Sequence, residues 1–231
     1  MISPDTPTNE QLRLSAVQSY GLLDTLPEEE YDEITRLIAS VCDTPISLVT
    51  LLDSNRNFLK SHHGVAMNES PRSISFCGHA ILDHVDIFII EDARKDDRFK
   101  DNPLVNDSEV VFYAGSPLYD ADGFPLGTLC VFDTKPRILT EPQKMFIIAM
   151  AKQVVKLFEL HKNKHQLETT KALLEQRNQE LKEFASVVSH DLKSPLSNIT
   201  SLARLLKEEY GIQFDDSGNQ YIDYIEESSL T

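Results

Sequence analysis

Apolar residues follow two different patterns along this chain, and the pattern changes near residue 140. Before that point they form short, partly β-branched runs separated by turns rich in Asp, Asn, Gly and Pro, which is typical of strands in a sheet. After it they recur every three or four residues, as they do on one face of a helix. The chain is therefore predicted to contain a mixed α and β part followed by a helical part.

The first part is predicted to begin with two helices, one ending at Gly21 and one beginning at the acidic turn 28–30. Five strands are predicted at residues 46–52, 58–61, 87–90, 110–119 and 126–133. Ser75 is predicted to cap a short helix over residues 76–83. Residues 64–72 and 92–106 are predicted to be irregular. Since tight turns join several of these strands, we expect an antiparallel sheet with helices packed on it.

The second part is predicted to be one helix from Thr140 to about Glu209, ended by Gly211, with a second helix starting near Tyr221 after a loop at 215–218. Five apolar residues are spaced by seven: Leu160, Leu167, Leu174, Leu181 and Val188. This repeat favours a left-handed coiled coil, most simply a parallel dimer. The alternating positions Lys164, Lys171 and Asn178 are polar, which weakens the seam. Two interpretations stay open: a plain dimerisation stalk, or a stalk loose enough to shift when the preceding domain changes shape.

A histidine lies on the polar side of the same predicted helix. Its apolar stripe continues through Val188, Leu192, Pro195, Ile199, Leu202 and Leu206. Relative to that stripe His190 falls on the far side, so we expect its ring to face water. Asp191 follows it directly, and Ser194 lies one turn later on the same face. Pro195 removes a backbone hydrogen bond and is expected to bend the helix just after the histidine.

The composition excludes some classes of partner and indicates a cellular compartment. The chain has 231 residues and a hydrophobic content of 41%, which is enough to bury a core. Its net charge of −15 makes nucleic acid or an anionic membrane a poor match as its main partner. No apolar run is long enough to cross a bilayer, and residues 1–10 are polar. Three cysteines without C-x-x-C spacing predict reduced thiols, no disulfide framework and no metal site. We therefore expect a cytoplasmic protein.

Residues 189–196, Ser-His-Asp-Leu-Lys-Ser-Pro-Leu, resemble the H-box of sensor histidine kinases. The resemblance implies that His190 accepts the γ-phosphoryl group of ATP, with Mg as its companion ion, and passes it to an aspartate of a response-regulator receiver domain. Asp191 would accept or orient the ring proton. Ser194 stands where many relatives have Thr or Asn and could position a water for phosphatase activity. The two helices would form a dimeric four-helix bundle, making the chain a homodimer.

Several blocks of the first part resemble a GAF sensor domain. They are Tyr-Gly-Leu-Leu-Asp-Thr-Leu-Pro at 20–27, Pro-Ile-Ser-Leu-Val-Thr-Leu-Leu-Asp at 45–53, Ser-Phe-Cys-Gly-His-Ala-Ile at 75–81, Asp-Arg-Phe at 97–99, Phe-Tyr-Ala-Gly-Ser-Pro-Leu at 112–118 and Leu-Gly-Thr-Leu-Cys-Val at 126–131. Together the resemblances predict an α+β fold: a GAF-type antiparallel sheet flanked by helices, then a coiled-coil signalling helix and a helical hairpin. The predicted domains are 1–155 (GAF sensor), 156–180 (signalling helix) and 181–231 (dimerisation and histidine phosphoacceptor).

Cys77 and His79 are the weak candidates for cofactor binding in the sensor part. Bilin attachment usually needs Cys followed directly by His, and Gly78 separates them here. Haem on His79 and thiol chemistry by Cys77 and Cys130, as in GAF-fold sulfoxide reductases, are the other possibilities. We expect instead packed core thiols and a helix-capping histidine, with no cofactor bound by this chain and an unnamed signal.

Three functional hypotheses follow from the sequence. The first is the sensor and phosphoacceptor portion of a two-component histidine kinase, served by an ATP-binding kinase domain in cis or in trans. That domain is not recognised in these 231 residues, and we expect the chain to be a fragment of a longer kinase rather than a short phosphotransfer protein. The second is a non-catalytic dimeric GAF scaffold, and the third is a GAF-fold thiol redox enzyme. The regulator, the signal and phosphorylation within or between subunits stay open.

Overall fold

The computed structural model describes residues 1–83, 85–210, 212–213 and 215–230. The chain divides into two compact units, Met1–His165 and Gln166–Thr231, and each is described by itself. The predicted helix end at Gly211 lies outside the described residues.

In its described residues, the first unit contains six strands and four short helices, and the longest helix begins within it. The helices are α1 (Glu10–Ser19), α2 (Glu29–Cys42), α3 (Phe76–Ala80), α4 (Pro103–Asn106), α5 (Glu141–Tyr210) and α6 (Asp216–Leu230). The strands are β1 (Ile46–Leu52), β2 (Arg56–His63), β3 (Glu69–Pro71), β4 (Phe88–Ile90), β5 (Phe112–Tyr119) and β6 (Pro125–Asp133). Single 3₁₀ turns lie at Arg72–Ile74 and Ala93–Lys95.

The strands form one antiparallel sheet in the order β3-β2-β1-β6-β5-β4, which confirms the predicted sheet. Its centre is the pair β1 and β6, with Thr50 opposite Thr128 and Leu51 opposite Gly127. A side chain at Gly127 would place its Cβ 1.9 Å from the carbonyl oxygen of Thr50. Glycine at this position therefore permits the close approach of the two central strands.

Each face of the sheet is covered by helices, and alternate residues of the central strands point into two separate cores. Val49, Leu51, Leu129 and Val131 pack with residues of α1, α2 and the first turns of α5 on one face. Leu48, Leu52, Cys130 and Phe132 pack with α3 and the loop before α4 on the other. Burial on both faces explains why the strands are almost continuously apolar in sequence.

Several predicted boundaries were wrong for local reasons. Residues 64–72 are not wholly irregular, because β3 pairs with β2 there. The segment 92–106 contains α4, since the side chain of Asn102 accepts the N–H of Leu104 and Pro103 fits the first helical turn. The Ser75 cap is confirmed by its bond from the N–H of Gly78, although α3 ends at Ala80 rather than at residue 83.

The two long helices begin with side-chain caps. At the start of α5, Thr140 and Gln143 bond each other reciprocally: the Thr140 N–H donates to Oε1 of Gln143 at 3.0 Å, and the Gln143 N–H donates to Oγ1 of Thr140 at 3.4 Å. At α6, Oδ1 of Asp215 accepts the N–H of Gly218 at 2.8 Å. This cap starts α6 at Asp216, in the segment that the sequence had predicted to be a loop.

Candidate functional site

His190 lies on α5 with its ring in solvent, as the helical pattern predicted. Its side chain is 88% exposed, and Nδ1 lies 3.3 Å from Oδ1 of Asp191. A carboxylate oxygen accepts hydrogen bonds, so this pair forms one in the tautomer that carries its proton on Nδ1. That tautomer leaves the lone pair on Nε2, which is the nitrogen free to act as a nucleophile.

The residues that follow His190 on α5 are exposed, and one of them removes a backbone hydrogen bond of the helix. Ser194, one turn on, is exposed, and Pro195 lies inside α5. Proline has no N–H, so it cannot donate to the carbonyl of Asp191. The hydroxyls of Thr200 and Ser201 bond back to the carbonyls four residues earlier, at 2.9 Å each. The role predicted for Ser194 stays a prediction.

The apolar stripe on the side of α5 away from His190 is left uncovered within the second unit. Helix α6 packs against the last turns of α5, where Ala203 and Ile222 are buried and Arg204 pairs with Glu226 at 3.5 Å. All six members of the stripe are exposed: Val188, Leu192, Pro195, Ile199, Leu202 and Leu206. Exposed apolar side chains at helical spacing indicate a surface that packs against something else.

The seven-residue repeat shows the same exposure further up the helix. Leu167, Leu174 and Leu181 each expose about two thirds of their area, between 64% and 69%. In the described structure Leu167 and Leu174 line an open groove along α5 with Thr170, Asn178 and Lys182. The predicted seam is therefore present as an uncovered apolar face, and its pairing with a second copy stays a prediction.

A small cavity lies between the sheet and α3 in the first unit, Met1–His165, which is called the sensor unit from here on; the second unit is called the helical unit. It has a volume of about 170 Å³, and its walls include Leu48, Leu59, Phe76, Cys77 and Phe132. The buried side chain of Asn57 also lines it, and within the described part of the chain its Oδ1 has no hydrogen-bond partner. The cavity can therefore hold a small, mostly apolar molecule that donates one hydrogen bond.

The two weak cofactor candidates lie in different environments. Cys77 is fully buried, and its Sγ lies 3.9 Å from Sγ of Cys130. Burial lowers the pKa of the His79 ring, whose Nε2 lies 3.1 Å from the carbonyl oxygen of Ile2. His79 thus fastens the N-terminal segment rather than capping α3, which corrects the expected role. Within the described residues, no cluster of three or more His, Cys, Asp or Glu side chains is arranged to hold a metal ion.

A set of polar contacts that sequence reasoning missed fastens α5 to the C-terminal end of α1. The hydroxyl of Tyr20 donates to Glu159, and Nζ of Lys162 lies 3.1 Å from Oγ of Ser19 and 4.6 Å from the centre of the Tyr20 ring. These contacts involve the last turns of α5 that belong to the sensor unit. No periodicity could reveal them, because they join residues 139 or more positions apart.

Comparisons with known proteins bear on both units. The family model described as the GAF domain matches residues 26–156, and the model described as the His Kinase A (phospho-acceptor) domain matches residues 180–231. His190 lies in the second match. None of the described helices is both long and apolar enough to cross a membrane.

Two curated relatives and one solved structure illustrate the range of similar proteins. The cyclic di-GMP phosphodiesterase PA2567 of Pseudomonas aeruginosa is 40% identical over 138 residues, covering 59% of this chain and 23% of that protein. Cyanobacterial phytochrome A of a Nostoc species is 43% identical over 51 residues, covering 22% of this chain and 7% of that protein. The chain thus spans less than a quarter of either relative. The bacteriophytochrome RpBphP3 of R. palustris superposes with a TM-score of 0.50 at 9% identity, covering 71% of this chain and 40% of that chain, a likeness of fold alone.

Proposed function

Because the chain belongs to the GAF domain family and also carries a His Kinase A phospho-acceptor domain, we propose that it is the sensor and phosphoacceptor part of a two-component histidine kinase. The observation that carries this proposal is His190, an exposed histidine paired through Nδ1 with Asp191 inside the phospho-acceptor match. Such a pair leaves Nε2 available to a substrate that arrives from solvent.

The proposed reaction has two transfers. Nε2 of His190 attacks the γ-phosphorus of MgATP, forming a P–N bond as the P–O bond to ADP breaks. Asp191 accepts or holds the proton on Nδ1, which offsets the positive charge that develops on the ring. A carboxylate oxygen of a receiver-domain aspartate then attacks the phosphorus and releases neutral His190. An ATP-binding kinase domain supplies the nucleotide, in cis or in trans.

The proposed organisation follows the sequence boundaries. Residues 1–155 form the GAF sensor, 156–180 the signalling helix and 181–231 the dimerisation and phosphoacceptor domain. Two copies pair through the exposed leucines of the seven-residue repeat and through the stripe beside His190, giving a four-helix bundle in a cytoplasmic homodimer. Support comes from the exposure of Leu174, Leu181 and Leu202, because apolar residues at this spacing are stabilised by a second helix pair.

The sensor unit offers a route by which a ligand can affect α5. A molecule in the cavity contacts the sheet face that carries Leu48 and Phe132. The opposite face of the same sheet packs against α5, and the Tyr20–Glu159 bond fastens that helix to α1. We propose that occupancy of the cavity alters these helix contacts and thereby changes phosphorylation of His190.

The test is labelling with radioactive ATP after adding a histidine-kinase catalytic domain in trans. We expect His190→Gln to abolish labelling, because glutamine cannot form the phosphoramidate. Asp191→Asn should slow labelling by about 10²–10⁴-fold, the usual worth of general acid–base help. The matched control is His165→Gln, an exposed histidine on the same helix, which should label like the unchanged chain.

The chemistry of the product provides a second check. Phosphohistidine is lost in acid and stable in base, so the label should follow that pattern. Label that persists in His190→Gln, or that resists acid, would assign another acceptor. Absence of label on the unchanged chain, with a catalytic domain that labels another phosphoacceptor bundle, would favour the non-catalytic GAF scaffold.

A further inference from the structure

Two of the three cysteines meet inside the sensor unit. Cys77 lies on α3 and Cys130 on the central strand β6, and neither exposes any surface. Their Sγ atoms are 3.9 Å apart, although the residues are 53 positions apart in sequence. The third cysteine, Cys42, is also fully buried but belongs to the core on the opposite face of the sheet. The sheet therefore separates one thiol from the other two.

The two sulfur atoms are close enough for a disulfide to form after a small movement. A disulfide requires about 2.05 Å between sulfurs, so closing this pair means shortening the separation by roughly 2 Å. Rotation of either side chain about its Cα–Cβ bond moves a sulfur by that order, and α3 rests directly on β6 in the same core. Closing the disulfide therefore requires a local movement of these side chains, with α3 still packed on β6.

The pair is approached through the cavity, from the side of Cys77. Cys77 lines the cavity beneath α3, whose rim includes the exposed side chain of Met67. Cys130 is not among the lining residues, and burial raises the pKa of its thiol well above the usual value. Burial also opposes ionisation of Cys77, and the hydroxyl groups of Thr128 and Tyr113 lie near both thiols, with that of Thr50 near Cys77, where they can donate hydrogen bonds to a thiolate. A small reagent that enters the cavity therefore comes closer to Cys77 than to Cys130.

We propose that Cys77 and Cys130 form an oxidisable pair that a hydroperoxide converts into a disulfide. The Cys77 thiolate attacks one peroxide oxygen; the O–O bond breaks, and Cys77 becomes a sulfenic acid while the other oxygen leaves as water or an alcohol. The sulfur of Cys130 then attacks Sγ of Cys77. The S–O bond breaks, and the departing hydroxide takes the thiol proton as water. Two thiols thus supply the two electrons that reduce one peroxide.

The modification would change the cavity itself. A disulfide ties α3 to β6 and moves Sγ of Cys77, which is part of the cavity wall. The volume available to a ligand would then depend on the oxidation state of the pair. The chemistry of the pair does not require His190 to be a phosphoacceptor, so the two proposals can fail separately.

The experiment is a titration of the whole chain with hydrogen peroxide under native conditions, followed by acid quenching and mass spectrometry without reductant. We expect the unchanged protein to lose two hydrogens, to keep one free thiol of its three and to yield a peptide pair joined through Cys77 and Cys130. Dithiothreitol should reverse the change. Cys42→Ser is the matched control, a buried cysteine on the other face, and should form the same disulfide.

Single variants assign the order of attack. In Cys130→Ser, dimedone should trap a sulfenic acid on Cys77; in Cys77→Ser, Cys130 should stay unmodified. Circular dichroism before and after peroxide checks that each protein is folded. The proposal would be overturned by three free thiols in the oxidised native protein, by cross-links that involve Cys42, by disulfides between chains, or by Cys77–Cys130 bonding that appears only in denaturant.

Discussion

The two units of this chain differ in how they cover their apolar residues. In the sensor unit both faces of the sheet are packed, and side chains as large as Phe76, Phe112 and Phe158 are fully buried. In the helical unit the largest apolar side chains, such as Leu174, Phe184 and Leu202, stay mostly exposed. The same helix, α5, supplies Phe158 to the first group and the other three residues to the second.

The two units therefore differ in the contacts that stabilise them. The sensor unit buries its apolar area in two cores made of its own residues. The helical unit leaves apolar area in water at coiled-coil spacing, and an isolated helix gains little from propensity alone. Its stability therefore depends on a second surface, and the proposed homodimer supplies one. Two sets of substitutions on α5 and one change of pH test how each unit is stabilised.

The largest effect is expected for a matched pair of phenylalanines on α5. Phe158→Ala should destabilise the sensor unit by about 3–5 kcal/mol, because a fully buried aromatic side chain is replaced by a cavity. Phe184→Ala removes a side chain that is 66% exposed and should leave the sensor transition unchanged. The measurement is urea unfolding followed by tyrosine near-ultraviolet circular dichroism. The chain has no tryptophan, and the Tyr20 and Tyr31 rings pack on Phe158.

Equal urea midpoints for Phe158→Ala and Phe184→Ala would contradict this contrast, in which Phe158 is packed in the sensor unit and Phe184 lies on an uncovered part of the same helix.

An intermediate effect is expected at the repeat. Leu174→Asp or Leu181→Asp places a charge in the proposed seam and should weaken dimerisation by about 2–3 kcal/mol, roughly 30–150-fold in Kd. Leu173→Asp is the control, since Leu173 is similarly exposed on α5 but lies outside the seven-residue step. Light scattering coupled to gel filtration measures the mass. An unchanged chain that is monomeric at micromolar concentration, or equal dissociation by all three variants, would refute the seam.

The smallest effect is expected from pH and concerns the sensor unit alone. Burial lowers the pKa of His79, so the unfolded chain binds its proton more readily than the folded one. The stability from neutral His79 is complete above the ordinary pKa of about 6.5 and is lost as pH falls through the lower folded value. Lowering the pH from about 7.5 to about 5 should therefore lower the Tm more in the unchanged chain than in His79→Gln.

His63→Gln, at an exposed position on β2, is the control for this pH experiment and should behave like the unchanged chain. If His79→Gln shows the same loss of Tm on acidification, His79 is not the group responsible.

The sequence predicted the regular elements well wherever hydrophobic period and turn residues agreed. Strand β1 was predicted with its exact ends, because Pro45 and Asp53 bound a run of seven mostly apolar residues that includes the β-branched Ile46, Val49 and Thr50. The exposure of His190 followed from its position relative to the apolar stripe. Strand β3 was missed because it has three residues, one of them proline, and its pairing with β2 is set by the neighbouring strand rather than by its own composition.

The candidate sites were less predictable, because they depend on contacts between distant segments. Alternation along β6 does place Cys130 on the same face as Phe132, but only the packing of α3 brings Cys77 next to it. The open Oδ1 of Asn57 and the Tyr20–Glu159 bond are likewise visible only in three dimensions. Periodicity identifies the face of an element; it does not identify which other element covers that face.

Proline 195 also affects the stiffness of α5. Bending a helix stretches the hydrogen bonds on its outer side, and here the carbonyl of Asp191 has no bond from residue 195 to lose. Curvature therefore costs less energy just after His190 than elsewhere along the helix. In the proposed function, His190 meets an ATP-binding domain and then a receiver domain, whose surfaces differ in shape. A segment with low bending rigidity beside His190 would let one helix adjust its curvature to each of them in turn.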